Sequence, residues 1–142
     1  MKYSISSYQQ LPALAGKILR DFSDTSIFTL TGNLGAGKTS LIQAFCKHIG
    51  IQETVNSPSF ALVNEYLGKD NIIVYHFDFY RIEDISELHR IGFDDYLYSG
   101  DYIFIEWPEI GQSLITEPHV HIQIQADDAG IRHLEVSEAE PH

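Results

Sequence analysis

Apolar side chains at Leu11, Leu14, Ala15, Ile18, Leu19 and Phe22 keep helical spacing, which predicts a helix with Pro12 in its first turn. The pattern then changes. Ile27–Leu30 is a short apolar run leading into a glycine-rich turn, as in a buried strand. Leu41, Ile42, Ala44, Phe45 and Ile49 return to helical spacing and predict a second helix that stops at Gly50. Two strand-like runs follow, Phe60–Leu67 and Asn71–Phe77, joined as a hairpin through Gly68-Lys69-Asp70. A helix is expected from Asp84 to Arg90 and a buried strand at Tyr102–Ile105. His119–Gln125 and Arg132–Val136 read as a terminal antiparallel pair around Asp127-Asp128-Ala129-Gly130. Strands alternate with helices early and pair as hairpins later, which predicts an α/β fold with a mixed parallel and antiparallel sheet.

Composition limits what such a fold can be. The 142 residues, 44% of them hydrophobic, fit one domain spanning residues 1–142, with an acidic tail expected from about 137 to 142 that carries Glu138 and Glu140 beside Glu135. No apolar run is long enough to span a membrane, and the N-terminus lacks the apolar stretch of a signal peptide. The single cysteine, Cys46, leaves no intramolecular disulfide and falls among apolar helix positions, so core packing explains it. These features predict a soluble cytoplasmic protein without membrane partners. The net charge of −11 is unevenly spread: residues 1–50 carry +3 and residues 51–142 carry −14. Proteins that grip nucleic acid by its phosphates show the opposite balance, so direct RNA or DNA binding is not expected, whereas an acidic face suits a basic protein partner.

One motif stands out against this background. Gly32-Asn33-Leu34-Gly35-Ala36-Gly37-Lys38-Thr39 matches G-x-x-x-x-G-K-[ST] in full and lies between a predicted strand and a predicted helix. Such glycines let backbone N–H groups form an anion nest, and the following helix adds the positive end of its dipole. Lys38 is placed to reach the β- and γ-phosphates, the Thr39 hydroxyl to bind Mg²⁺, and Ser40 to continue the cradle. An acid at a neighbouring strand end is then needed to hold the metal or orient water. Two qualify: Asp78 after Ile72–Phe77 and Glu106 after Tyr102–Ile105. Each alone is equally explained as a solvated strand-end carboxylate; together they fit a catalytic pair.

Missing elements narrow the chemistry. No N-K-x-D element for guanine is present, and no D-x-x-G begins at Asp78. Kinases of small molecules need several arginines and a mobile lid, yet the chain has only Arg20, Arg81, Arg90 and Arg132 and no insertion of lid length. ATP hydrolysis is therefore favoured over transfer to a small molecule.

Three segments after this motif, Val55-Asn56-Ser57-Pro58-Ser59-Phe60, His76-Phe77-Asp78-Phe79-Tyr80-Arg81 and Glu106-Trp107-Pro108-Glu109, resemble the TsaE (YjeE) family. The resemblance runs from about Leu11 to Val136. Two positions depart from it: Asn33 stands where Asp is usual, and Asn56 where Thr or Lys is common. The family is one of bacterial ATPases needed to make threonylcarbamoyladenosine in tRNA. The resemblance implies a P-loop NTPase-like three-layer fold, ATP and Mg²⁺ as ligands, and the partners TsaD and TsaB, which would hold the tRNA. It implies Lys38 and Thr39 on phosphate and Mg²⁺, Glu106 completing the metal site, and Asp78 orienting water near the γ-phosphate. It also implies a nucleotide-sensing loop at Ser57 and Ser59 and nucleotide contacts at Trp107, Arg132 and, more weakly, Tyr8 near the adenine. On the residues alone, an ordinary turn, core packing and a surface strand position explain Ser57–Ser59, Trp107 and Arg132 as well. His119 and His121 share a predicted strand face, but no third metal ligand lies nearby in sequence, and alternating polar strand residues explain them. A nucleotide-dependent binding module, in which hydrolysis is incidental, and a small-molecule kinase are the competing readings.

Overall fold

The computed structural model describes residues 1–33, 35–58 and 61–140. Its strands are β1 (Lys2–Ile5), β2 (Ile27–Thr31), β3 (Val63–Leu67), β4 (Ile73–Asp78), β5 (Tyr102–Glu106), β6 (His119–Ala126) and β7 (Arg132–Ala139). The helices are α1 (Leu11–Asp21), α2 (Lys38–Ile49), α3 (Ser86–Arg90) and α4 (Phe93–Ser99). All seven strands form one sheet in the order β1-β7-β6-β2-β5-β4-β3. The four central strands, β6, β2, β5 and β4, run parallel to one another. β3 on one edge, and β7 with β1 on the other, are antiparallel. The expected α/β class and mixed sheet are therefore present.

Alternation along the central strands builds two cores. Phe28 and Leu30 of β2, Val74 of β4 and Phe104 of β5 face α1 and α2, where they meet Leu14, Ile18, Leu41, Ile42 and Phe45. Ile27, Tyr75, Phe77, Ile103 and Ile105 face the other way, onto Leu88 of α3 and Phe93 and Leu97 of α4. Helices thus cover both faces of the parallel centre, giving three layers. The same period-two rule puts His76, Asp78 and Glu106 on the α1/α2 side, because each is two or four residues from an inward neighbour on that face.

Several expectations need correction. β1 and α4 were not read from the sequence, nor were the 3-10 turns at Tyr8–Gln10 and Pro108–Leu114. β3 starts at Val63 rather than Phe60, which lies outside the described residues. α3 begins at Ser86 because Asp84 accepts from the Ser86 N–H at 2.9 Å. The acidic tail begins later than residue 137. β7 continues to Ala139, which pairs in register with His119, and Glu135 and Glu138 are exposed along it while Leu134 and Val136 are buried. Exposed acids interspersed with buried apolar residues on a terminal strand imitate a solvated tail in sequence.

Candidate functional site

The glycine-rich segment bridges the end of β2 to the first turn of α2, as its spacing predicts. Gly32 has a φ of 155°, and a Cβ there would stand 2.5 Å from the Ile124 carbonyl oxygen, so this turn admits no side chain. Ala36 N–H closes the loop onto the Asn33 carbonyl at 3.0 Å. The loop delivers the N-terminus of a twelve-residue helix, with its free N–H groups and positive dipole end, to a cavity of about 430 Å³. Tyr8, Gly35, Gly37, Lys38, Thr39, Ser40, Ser57, Asp78, Glu106 and Trp107 all line that cavity. These are candidate residues from five separate stretches of sequence. Leu34 and Ser59 lie outside the described residues.

Lys38 is buried and donates to the Gly32 and Asn33 carbonyls, the latter at 3.2 Å. Its ammonium also sits 4.0 Å from the centre of the Trp107 ring, a cation–π contact that gives the indole a role beyond packing. Burial lowers the Lys38 pKa, opposed by the negative charges of Glu106, Asp78 and Glu109. A buried cation held mainly by neutral carbonyls is well placed to take an anion. Trp107 has a left-handed backbone (φ 53°), and its ring packs at 4.8 Å, tilted by 44°, against that of Tyr80, another cavity residue.

The two strand-end acids are paired in register, Asp78 of β4 beside Glu106 of β5. Their side chains have different partners. The Thr39 hydroxyl donates to both Glu106 oxygens, at 2.9 and 3.1 Å, and His76 Nε2 lies 2.7 Å from Glu106 Oε2. Asp78 accepts from Ser57 Oγ at 2.6 Å and from the Tyr80 N–H at 2.9 Å. Thr39 and Glu106 form a compact all-oxygen donor pair at the anion-binding end of α2. That chemistry fits Mg²⁺, which takes one or two protein oxygens and completes its octahedron with phosphates and water.

Behind the glycine-rich loop, Arg132 donates through Nε to the Ala36 carbonyl at 3.0 Å and through Nη2 to Tyr8 OH at 2.6 Å. Its guanidinium also lies 4.4 Å from the centre of the Tyr8 ring. Tyr8 itself is held by a capped turn: Gln9 N–H donates to Ser7 Oγ, while Gln10 Oε1 accepts from Ser7 N–H. Arg132 thus ties the glycine-rich loop to the N-terminal segment, a link the sequence could not show. Arg81 and Tyr80 also line the cavity. Arg81 thus joins Lys38 at the cavity, and Arg132 stands against the glycine-rich loop. The sequence assigns His76 no role of its own; its one signal there is a histidine inside an apolar strand run.

The remaining candidates are accounted for elsewhere. His121 lies against the Thr29 and Thr31 hydroxyls at 2.8 and 3.2 Å, and His119 against the Glu117 carbonyl and the Gln112 amide. Cys46 is fully buried, and burial pushes its thiol pKa up to about 12, which makes it unreactive.

Comparison with known proteins converges on one family. The family profile described as Threonylcarbamoyl adenosine biosynthesis protein TsaE matches residues 5–134. The tRNA threonylcarbamoyladenosine biosynthesis protein TsaE of Haemophilus influenzae is 43% identical over 103 residues, covering 70% of this chain and 63% of its own length, a little under two thirds. The protein of the same name from Rickettsia conorii is 33% identical over 130 residues, 89% of this chain and 71% of that one. Among solved structures, Bacillus subtilis YdiB superposes with a TM-score of 0.75 and 25% identity, over 98% of this chain and 84% of YdiB. The match extends from β1 into β7 and includes every strand that borders the cavity, so this chain belongs to the TsaE family.

Proposed function

We propose that this chain is a Mg²⁺-dependent P-loop ATPase of tRNA threonylcarbamoyladenosine biosynthesis, hydrolysing ATP in the cytoplasm in complex with TsaD and TsaB. Family membership supports the pathway, and the Thr39–Glu106 contact beside Lys38 carries the chemistry. Lys38 would hold the β- and γ-phosphates against the N-terminus of α2. The Thr39 proton is already directed at Glu106, which leaves the hydroxyl lone pairs for the metal. When bound there, Mg²⁺ neutralises charge developing on the phosphate oxygens. Asp78 holds Ser57 in this structure and would orient the attacking water once Ser57 turns to the nucleotide. Tyr8 borders the cavity, with the Arg132 guanidinium over its ring, and offers a face on which a base could stack.

The partner reading draws on charge. Glu83, Asp84, Asp94 and Asp95 are all exposed on and around α3 and α4, a surface that suits a basic protein. RNA is repelled by the same charge and would be reached only through the complex. No helix among the described residues is long and apolar enough to cross a membrane.

Single-turnover phosphate release tests the proposal. The expected result is slow hydrolysis by the isolated chain and acceleration by TsaD and TsaB that weakens with salt. A fast rate indifferent to the partners at every ionic strength would overturn the partner requirement. The Ser57–Asp78 bond favours one alternative, a nucleotide-dependent binding module, since it commits Asp78 to a loop rather than to water. That module would bind partners with ATP and release no phosphate. A phosphorylated small molecule would instead identify a kinase.

A further inference from the structure

We propose that His76 is a positioning residue that fixes the Glu106 carboxylate for the metal, an inference that rests on the Mg²⁺–ATP reading above. His76 sits on β4 in register with Phe104, diagonally across from Glu106 on the same sheet face. It is fully buried, and Glu106 is nearly so. A carboxylate only accepts hydrogen bonds, so the 2.7 Å contact is His76 Nε2–H donating to Glu106 Oε2.

That bond places a proton on Nε2 and leaves Nδ1 buried on the other side of the ring. Among the described residues, Nδ1 is the one buried side-chain nitrogen or oxygen with no partner. A position chosen for packing would hold an aromatic hydrocarbon here, as Phe104 beside it does, without an unpaired polar atom in the core. The imidazole is explained by what its other nitrogen does. With Thr39 donating to both Glu106 oxygens from the cavity side and His76 donating to Oε2 from the core side, the carboxylate is held from two directions. His76, Glu106 and Thr39 thus form a chain from the core to the metal side of the cavity. Hydrogen bonds to a ligating carboxylate fix its orientation and tune its hold on the metal.

Calorimetric titration of ADP with Mg²⁺ and with EDTA, on the full chain, tests this for wild type, His76→Gln, His76→Asn and His76→Phe. The Gln amide nitrogen reaches where Nε2 stands; the shorter Asn amide does not. The expected result is that Asn and Phe lose about 10–100-fold of the Mg²⁺-linked gain in affinity, that Gln keeps most of it, and that affinity in EDTA is unchanged. Equal loss in Gln and Asn, or full retention in Asn, would overturn the inference, and these two variants decide it even if His76→Phe does not fold. A wild type that gains nothing from Mg²⁺ fails earlier and overturns the metal reading itself.

Discussion

Asp78 and Glu106 are register partners at the ends of adjacent parallel strands, yet one carboxylate is bonded to the Ser57 loop and the other to Thr39 and His76. The difference comes from their surroundings. β4 and β5 place both acids on the α2 face, but Glu106 is buried against the first turn of α2, whereas Asp78 is only half-buried where the chain turns at Tyr80. The metal role proposed for Glu106 and the loop or water role proposed for Asp78 rest on that difference.

Substituting the two acids therefore has separable effects. On the proposed function, Asp78→Ala is expected to lower the rate of ATP hydrolysis by about 10²–10⁴-fold, in line with loss of a positioned acid or base, and to leave Mg²⁺-dependent nucleotide affinity nearly intact. Glu106→Ala removes the acceptor of Thr39 and His76 and abolishes the Mg²⁺ dependence together with activity. Affinities with Mg²⁺ and with EDTA, read beside single-turnover rates, check this. The reverse pattern would exchange the two roles.

Lys38→Ala removes the cation at the mouth of α2. Wild type at a nucleotide concentration about 100 times Kd gains roughly 2.7 kcal/mol of stability by mass action. The variant is expected to lose nearly all of that gain while folding normally, because its ammonium is held by two carbonyls and an indole face rather than by an ion pair. Thermal unfolding with and without ATP–Mg²⁺ measures the difference. An equal shift in both proteins would count against the phosphate cradle.

The glycine-rich loop, its flanking strand and helix, and the two strand-end acids were legible in sequence because each signal is local. A motif of fixed spacing and an apolar run ending in an acid need no knowledge of tertiary contacts. What escaped notice depends on such contacts. β1 buries only Ile5 and pairs with β7 at the far end of the chain, so its four residues show no pattern of their own. α4 follows Gly92, which reads as a break, and buries only Phe93 and Leu97. Arg81 reaches the cavity through the turn after β4, and Arg132 reaches the Ala36 carbonyl from 96 residues away. His76 looks like one more member of a buried strand until Glu106 is placed beside it.

Two glycines of the loop differ in what they tolerate. At Gly32 a methyl group would meet the Ile124 carbonyl at 2.5 Å and the Ala36 Cβ at 3.2 Å, and neither a backbone carbonyl nor a Cβ is the flexible end of a side chain that could yield. At Gly35 (φ 81°) a Cβ meets nothing among the described residues within 4 Å, so the cost is the left-handed conformation alone. Gly35→Ala should cost about 1–2 kcal/mol, and Gly32→Ala visibly more because a steric clash adds to the strain. Urea unfolding of both variants gives the order. Equal destabilisation would mean that the β2–loop junction relaxes freely around the added methyl.

His121 gives the fold a pH dependence whose sign follows from its setting. Burial is the main cause of its lowered pKa; neighbouring His119 lowers it further, and Glu109 partly opposes both. The Thr29 and Thr31 hydroxyls are its hydrogen-bonding neighbours, and neither carries a charge. Folded His121 therefore binds its proton less readily than the unfolded chain does, whose histidines titrate near about 6.5. Between those two values the unfolded state holds more protons, so stability rises with pH across the window. The contribution is fully present above about pH 6.5, declines as pH falls toward the folded value, and is flat below it. His121→Gln keeps a polar side chain that can bond a threonine hydroxyl but does not titrate. The difference in unfolding free energy between wild type and the variant should accordingly be constant above pH 7 and shift against the wild type as the solution is acidified. Comparing the two proteins cancels the other six histidines. Parallel curves for wild type and variant between pH 5 and 7 would show that His121 keeps its ordinary affinity for a proton inside the sheet.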